Sequence, residues 1–227
     1  RIAIDGVPAS RVRGSMHRLF PTTVAGLDFR LSHGEVAWNV VWAGDSRCYV
    51  AETRDGLQQL SRDDTDQGDA LELLVQDPPM INLVSADRAF TLHNVAGRAS
   101  LPCLLVCATD GFFGYVQTPA QFEHMLLDTL VSAQDVRHWS AHLAQRVEAC
   151  TGDDASLALV ALGFPDFDAL RARFVGRAAF VDVEYAELMR DVPSDDTVAL
   201  VAAREKSWLR YRSGYEQRLD RAQEVTR

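Results

Sequence analysis

"EVAWNVVWAGDSRCYV", Glu35 to Val50, consists of two apolar runs of strand length broken by Gly44-Asp45-Ser46. Turn residues between two such runs predict an antiparallel hairpin. Outward from it, "GLQQLS" (Gly56–Ser61) reads as a third strand after the turn at Arg54-Asp55-Gly56. An acidic, less apolar stretch follows from Arg62 to Pro79, and then "INLVSADRAFTLHNV" and "CLLVCAT" read as further strands. Helical period takes over after Thr118: Phe122, Met125, Leu126 and Leu130 share one face, and so do Val136, Trp139, Leu143 and Val147. "SLALVAL" (Ser156–Leu162) returns to strand.

Beyond Pro165, apolar residues from Phe167 to Leu188 recur at steps of three or four, predicting one long amphipathic helix. Pro193-Ser194-Asp195-Asp196 offers an N-cap and two acidic first-turn residues for a last helix. Trp208, Tyr211 and Tyr215 form a stripe on that helix, which could serve as a partner surface but reads more plainly as packing on the domain's own helices. Antiparallel strands with interspersed helices predict an α+β domain, and not a βαβ repeat. The expected division is a domain over residues 1–165 and a helical extension over 166–227.

A chain of 227 residues can bury a full core, and its net charge of −9 argues against nucleic acid or an anionic membrane as main partner. No apolar run spans a bilayer, and no signal peptide is visible. Three of the four cysteines (Cys48, Cys103, Cys107, Cys150) sit in apolar contexts, as buried reduced thiols would. A cytoplasmic location is therefore expected. Lys206 is the only lysine among many arginines, a codon-level hint of a GC-rich bacterial genome.

Three acidic spots share one grammar: an apolar strand ends, or a turn begins, at an aspartate beside small residues. They are Gly44-Asp45-Ser46, Thr109-Asp110-Gly111 and Gly152-Asp153-Asp154. Glycine beside each carboxylate lets a metal or phosphate approach the backbone closely. Hard divalent cations take such carboxylates together with water. Singly, each is also a solvated turn; together, at one end of a sheet, they would make a site.

In order and context these motifs resemble the metal-dependent protein phosphatases of type 2C, the PPM family. "WAGDSRCYV" resembles the family's Gly-Asp-Ser-Arg segment, "LLVCATDGFFGYV" its strand ending in Ser-Asp-Gly, and "TGDDASLALVAL" its closing acidic turn. "PTTVAG" and "LSRDDT" resemble two further family turns, so five motifs run in family order from about Phe20 to Leu162. The resemblance implies a four-layer α-β-β-α sandwich of two antiparallel sheets flanked by helices. It further implies a centre of two, or with a third weaker site three, Mn²⁺ or Mg²⁺ ions, whose bridging water attacks phosphoserine or phosphothreonine on a protein substrate. In a bacterial cell such an enzyme would oppose a Ser/Thr kinase.

Carried over by position, Asp110 and Asp153 would ligate one of the paired metals. Asp45 would serve the weaker third metal together with Asp110. Gly111 lies beside the site, Asp154 would orient its turn, and Arg47 would pair with carboxylates beside the sheet. Asp5-Gly6, after a short apolar run, superficially matches the family's Asp-Gly turn, which ligates both metals. Only sixteen residues separate Gly6 from Thr23, fewer than the family's helices there require. Either residues precede Arg1, or the Asp5 match is coincidental. The family's leading acidic motif and phosphate-gripping arginine are not identifiable. A rival expectation is therefore a pseudophosphatase, a binding or regulatory module without turnover; a third is a small-molecule phosphohydrolase.

Other patterns carry plainer readings. His138 and His142 stand at i, i+4, but Trp139 occupies the place of the glutamate that a zinc-hydrolase helix requires. "DDTDQGD" fails the calcium-loop template, with glycine in place of the third ligand and no glutamate at the twelfth position. "DDTVALVA" (Asp195–Ala202) echoes the acidic turn but reads as a helix start.

Overall fold

The computed structural model describes residues 21–65, 68–76, 79–85, 88–190, 192–193 and 195–219. Its strands are β1 (Val24–Ser32), β2 (Glu35–Ala43), β3 (Arg47–Glu52), β4 (Gly56–Gln59), β5 (His93–Ser100), β6 (Cys103–Ala108) and β7 (Leu157–Leu162). Its helices are α1 (Ala70–Gln76), α2 (Asp110–Phe113), α3 (Pro119–Ser132), α4 (Val136–Glu148), α5 (Phe167–Val181), α6 (Glu187–Arg190) and α7 (Thr197–Tyr215). Every strand pairing is antiparallel, in two sheets of order β1-β2-β5 and β4-β3-β6-β7.

The hairpin expected over Glu35–Val50 does not form. β2 pairs with β1 and β5, β3 pairs with β4 and β6, and Gly44-Asp45-Ser46 carries the chain from one sheet to the other. Gly44 makes that step at φ +93°, where a Cβ would run into the Thr23 side chain. The two apolar runs need partners on opposite layers, because both faces of β3 are buried. Cys48 and Val50 face the other sheet, while Tyr49 and Ala51 face the helices. The same alternation sends Leu105 of β6 inward and Leu104 and Val106 to the helical side, which explains the unbroken apolar text of that strand.

Other boundaries also moved. The described residues between 81 and 92 form no regular strand; a single bridge joins Val84 to Thr22, and the strand begins at His93. Asn82 and Thr91 bond each other across this segment, which local pattern cannot foresee. α1 lies inside the acidic, less apolar stretch from Arg62 to Pro79, for which the sequence predicts no element. The long helix from Phe167 stops at Val181 and passes through a π-helical turn (Asp182–Ala186) into α6. Asp196 is itself the cap of α7, accepting from the Ala199 N–H at 2.9 Å, so no acidic residue occupies the first turn.

The helical tail shares the domain core. Leu170, Phe174, Trp208, Tyr211 and Tyr215 are buried with Tyr49, Leu104 and the apolar faces of α3 and α4. Glu123 of α3 is fully buried and accepts from Arg177 Nε and Nη2 at 2.8 Å each and from Tyr211 Oη at 2.6 Å. Burial of each aromatic contributes a few kcal/mol (about 1.5–3 for Phe-sized side chains), so α5 and α7 are bound to the sheet and not merely appended to it.

Candidate functional site

Register places the acidic turns at one edge. Arg47 opens β3 opposite Ala108, which closes β6, and Ala108 in turn stands opposite Leu157, which opens β7. Asp45 therefore precedes β3, Asp110 follows β6 and Asp153 precedes β7 at the same end of three adjacent strands. The strand ending on a carboxylate hands Asp110 directly to the first turn of α2.

Five separated motifs are stitched together there. The Thr109 N–H donates to the Ser156 carbonyl at 3.0 Å, and the Ser156 N–H donates to Thr109 Oγ1 at 2.9 Å. Between them Gly111 lies against the Asp154–Ala155 backbone, where a Cβ would stand 2.5 Å from the Asp154 carbonyl oxygen. The Asp154 N–H donates to Asp153 Oδ1 at 2.7 Å. On the other side, Thr23 and Ser46 share a hydroxyl hydrogen bond of 2.7 Å, and Asp64 Oδ2 accepts from the Gly44 N–H at 2.8 Å. Arg47 holds Asp63 bidentately, Nε to Oδ1 at 2.7 Å and Nη2 to Oδ2 at 2.6 Å.

These turns enclose a cavity of about 360 Å³ whose wall includes Asp45, Asp63, Asp110 and Asp153, with Arg47, Phe113 and Tyr115. Leu73, Leu74 and Met80 form its apolar side. Burial, with the Asp110 and Asp63 carboxylates nearby, pushes the Asp45 carboxyl up to about 6. Arg47 is 3 % exposed and sits 4.2 Å above the Phe113 ring, so the one arginine among the described residues of this wall is committed to Asp63 and to packing. A carboxylate-only donor set under mutual repulsion fits a hard divalent cation such as Mg²⁺ or Mn²⁺. Among the described residues no three side chains of His, Cys, Asp and Glu are already gathered into a metal cage. Ions here would be held by few carboxylates, with water completing their shells.

Of the residues singled out in the sequence, Asp45, Asp110 and Asp153 line the cavity, while Asp154 meets Gly111 through its backbone. Asp5 and Gly6 lie outside the described residues. Phe112 and Phe113 are buried packing, but Tyr115 is 44 % exposed and stands in the cavity wall. Sequence reasoning did not assign roles to Asp63 and Asp64. Asp63 anchors Arg47, and Asp64 gathers Gly44, Asn82 and His93, the last at 2.8 Å. The doubled carboxylate of "LSRDDT" beside an arginine-bearing turn was the available signal.

No family model and no curated protein matches the sequence. Solved structures similar to it include PppA, a key regulatory component of T6SS in Pseudomonas aeruginosa, at 21 % identity over 54 % of this chain and 51 % of that one, TM-score 0.40. Another is the serine/threonine phosphatase Stp1 from Staphylococcus aureus, at 17 % identity over 59 % and 54 %, TM-score 0.45. A third is the catalytic domain of the serine/threonine protein phosphatase PstP in complex with two manganese ions, at 18 % identity over 59 % and 55 %, TM-score 0.40. The chain spans about half the length of these structures.

Proposed function

We propose that this chain belongs to a metal-dependent phosphatase that hydrolyses phosphoserine or phosphothreonine on proteins. The observation that carries the reading is the convergence of Asp45, Asp110 and Asp153 on one cavity, with the Asp45 carboxyl raised by burial and by its acidic neighbours. The five PPM-like motifs meet at this edge through named hydrogen bonds, which supports the family resemblance read from their order. Divalent ions bound there would supply an acidified water and offset charge on the phosphoryl oxygens. Asp110 and Asp153, on turns locked together at Gly111, would hold one ion, and Asp45 with Asp110 a weaker one. Arg47 keeps the Gly44–Ser46 step in place through Asp63, and Tyr115 stands at the cavity wall where a substrate side chain would pass. The substrate class is a phosphorylated protein made by a Ser/Thr kinase, in a bacterial cytoplasm. No helix among the described residues is long and apolar enough to cross a membrane.

A second reading, a pseudophosphatase that binds without turnover, is favoured by one feature. Arg47, the one arginine among the described residues of the cavity wall, is engaged by Asp63 and so is not offered to a phosphate. Hydrolysis of p-nitrophenyl phosphate and of a phosphothreonine peptide, with Mn²⁺, Mg²⁺ or EDTA and beside Asp110→Ala, separates the two. Metal-dependent turnover lost in the variant supports the enzyme. Peptide binding without turnover supports the module, and neither binding nor turnover contradicts both.

A further inference from the structure

Cys48 and Cys107 face each other across β3 and β6 with their sulfurs 3.3 Å apart. The backbone shows which kind of pair this is. The Cys48 N–H donates to Ser61 Oγ and the Cys48 carbonyl accepts from the Leu60 N–H, so both groups point away from β6. Cys48 and Cys107 are therefore a non-hydrogen-bonded cross-strand pair, the type in which opposite Cα atoms stand closest, about 4.5 Å apart. That separation lies within the span a disulfide tolerates, about 4.4–6.8 Å. Cys48 is fully buried between the sheets, whereas Cys107 is partly exposed. The other two thiols are excluded by position. Cys103 lies four residues along the same strand from Cys107, about 13 Å away. Cys150 is exposed beyond the end of α4, its thiol turned to the Arg146 and Val147 carbonyls.

We infer that Cys48 and Cys107 form an oxidisable dithiol, a modification site at which a peroxide closes a cross-strand disulfide. Cys107 is the attacking sulfur, because it is the partly exposed one of the two, and the hydrogen bond the sulfurs share lowers its proton affinity while that of Cys48 rises. Cys107 gives up its proton, its thiolate attacks one peroxide oxygen and breaks the O–O bond to become a sulfenic acid, and the hydroxide displaced takes up that proton as water. Cys48 sulfur then attacks that sulfur, its proton leaves with the sulfenic oxygen as a second water, and the S–S bond closes. In sum, two thiols are oxidised and one hydrogen peroxide is reduced to two waters. The inference does not depend on the proposed activity, although the cross-link would tie the strands that lead to Asp45 and Asp110.

The test treats the reduced full chain with a slight excess of hydrogen peroxide, then denatures it in N-ethylmaleimide. The expected result is a fall from four labels to two, a mass about 2 Da lower before labelling, and a proteolytic peptide joining Cys48 to Cys107. Cys48→Ser should instead leave a sulfenic acid on Cys107 that dimedone captures, and Cys103→Ser should behave as wild type. Retention of four labels, oxygen adducts on Cys107 of the wild type without a cross-link, or a disulfide through Cys103 or Cys150 would overturn the inference. Peptide mapping of the wild type decides the matter even where a variant fails to fold.

Discussion

Gly111 is packed against the turn that carries Asp153: a Cβ at Gly111 would stand 2.5 Å from the Asp154 carbonyl oxygen and 3.0 Å from Ala155 Cα. Both obstacles are backbone, so neither can swing aside as a long side chain would. Gly111→Ala should destabilise the fold by about 1–3 kcal/mol, the usual cost of overpacking. It should also spread the Asp110 and Asp153 turns. Denaturant unfolding with and without Mn²⁺ checks this; a variant as stable as wild type and equally stabilised by the ion would contradict it.

Asp45 gives the site a pH signature. Its carboxyl binds a proton more tightly in the folded chain, about 6 against an ordinary 3.8. Stability from this group is complete below 3.8 and is lost as pH rises through about 6. Asp45→Asn should therefore raise the metal-free melting temperature near neutral pH. The gain is on the order of 1 kcal/mol once solvent screening of the partly exposed carboxylate is allowed for. The difference should vanish toward about pH 4. Scanning calorimetry of both proteins in EDTA across that range is the check, and a loss of stability in the variant at neutral pH would reverse the reading.

Arg47 and Asp63 form a buried pair, 3 % and 5 % exposed. Removal of one partner strands a charge, so Asp63→Ala should cost about 3–5 kcal/mol, whereas the double change Arg47→Met with Asp63→Leu should cost much less. The Tyr215 hydroxyl lies 3.4 Å from Arg47 Nη1, a long contact, so Tyr215→Phe should cost under about 1 kcal/mol. Urea unfolding midpoints of the four proteins test the ordering.

The helical tail should prove necessary to the fold. A chain ended at residue 165 would expose the faces of β3, β6 and α3 that Phe174, Trp208, Tyr211 and Tyr215 cover, and would leave Glu123 buried without Arg177 and Tyr211. Asp69 would also lose Trp208 Nε1 at 2.8 Å and Arg212 Nη1 at 2.9 Å. The expected outcome is loss of dispersed amide resonances and of cooperative unfolding. A cooperatively folded 1–165 fragment would show that the tail is a separate unit.

Much of this was legible because it is written locally. Strand ends at Asp45, Asp110 and Asp153 announce themselves through adjacent glycines and apolar runs, and the α3 and α4 faces through their period. Sheet membership is different. Nothing within Glu35–Val50 says that its two strands join different sheets, since that depends on β5 and β6, some sixty residues on. Separation on a shorter scale hid the offices of Asp63 and Asp64, whose partners Arg47 and Gly44 lie 16 and 20 residues earlier. The π-helical turn after α5 escaped notice because its apolar spacing continues the helical stripe, with Tyr185 buried on the core side.

The central claim is that Asp45, Asp110 and Asp153 form a divalent-cation site, and Mn²⁺ titration followed by electron paramagnetic resonance tests it most directly. Each bound Mn²⁺ drops out of the aqueous six-line signal, so the titration counts sites without requiring turnover. Wild type should remove Mn²⁺ from the free pool, Asp110→Ala and Asp153→Ala should each bind fewer ions or bind more weakly, and Mg²⁺ should compete. If the wild type leaves the free signal unchanged, or if both variants titrate as wild type does, the cavity is not a metal centre and the account fails.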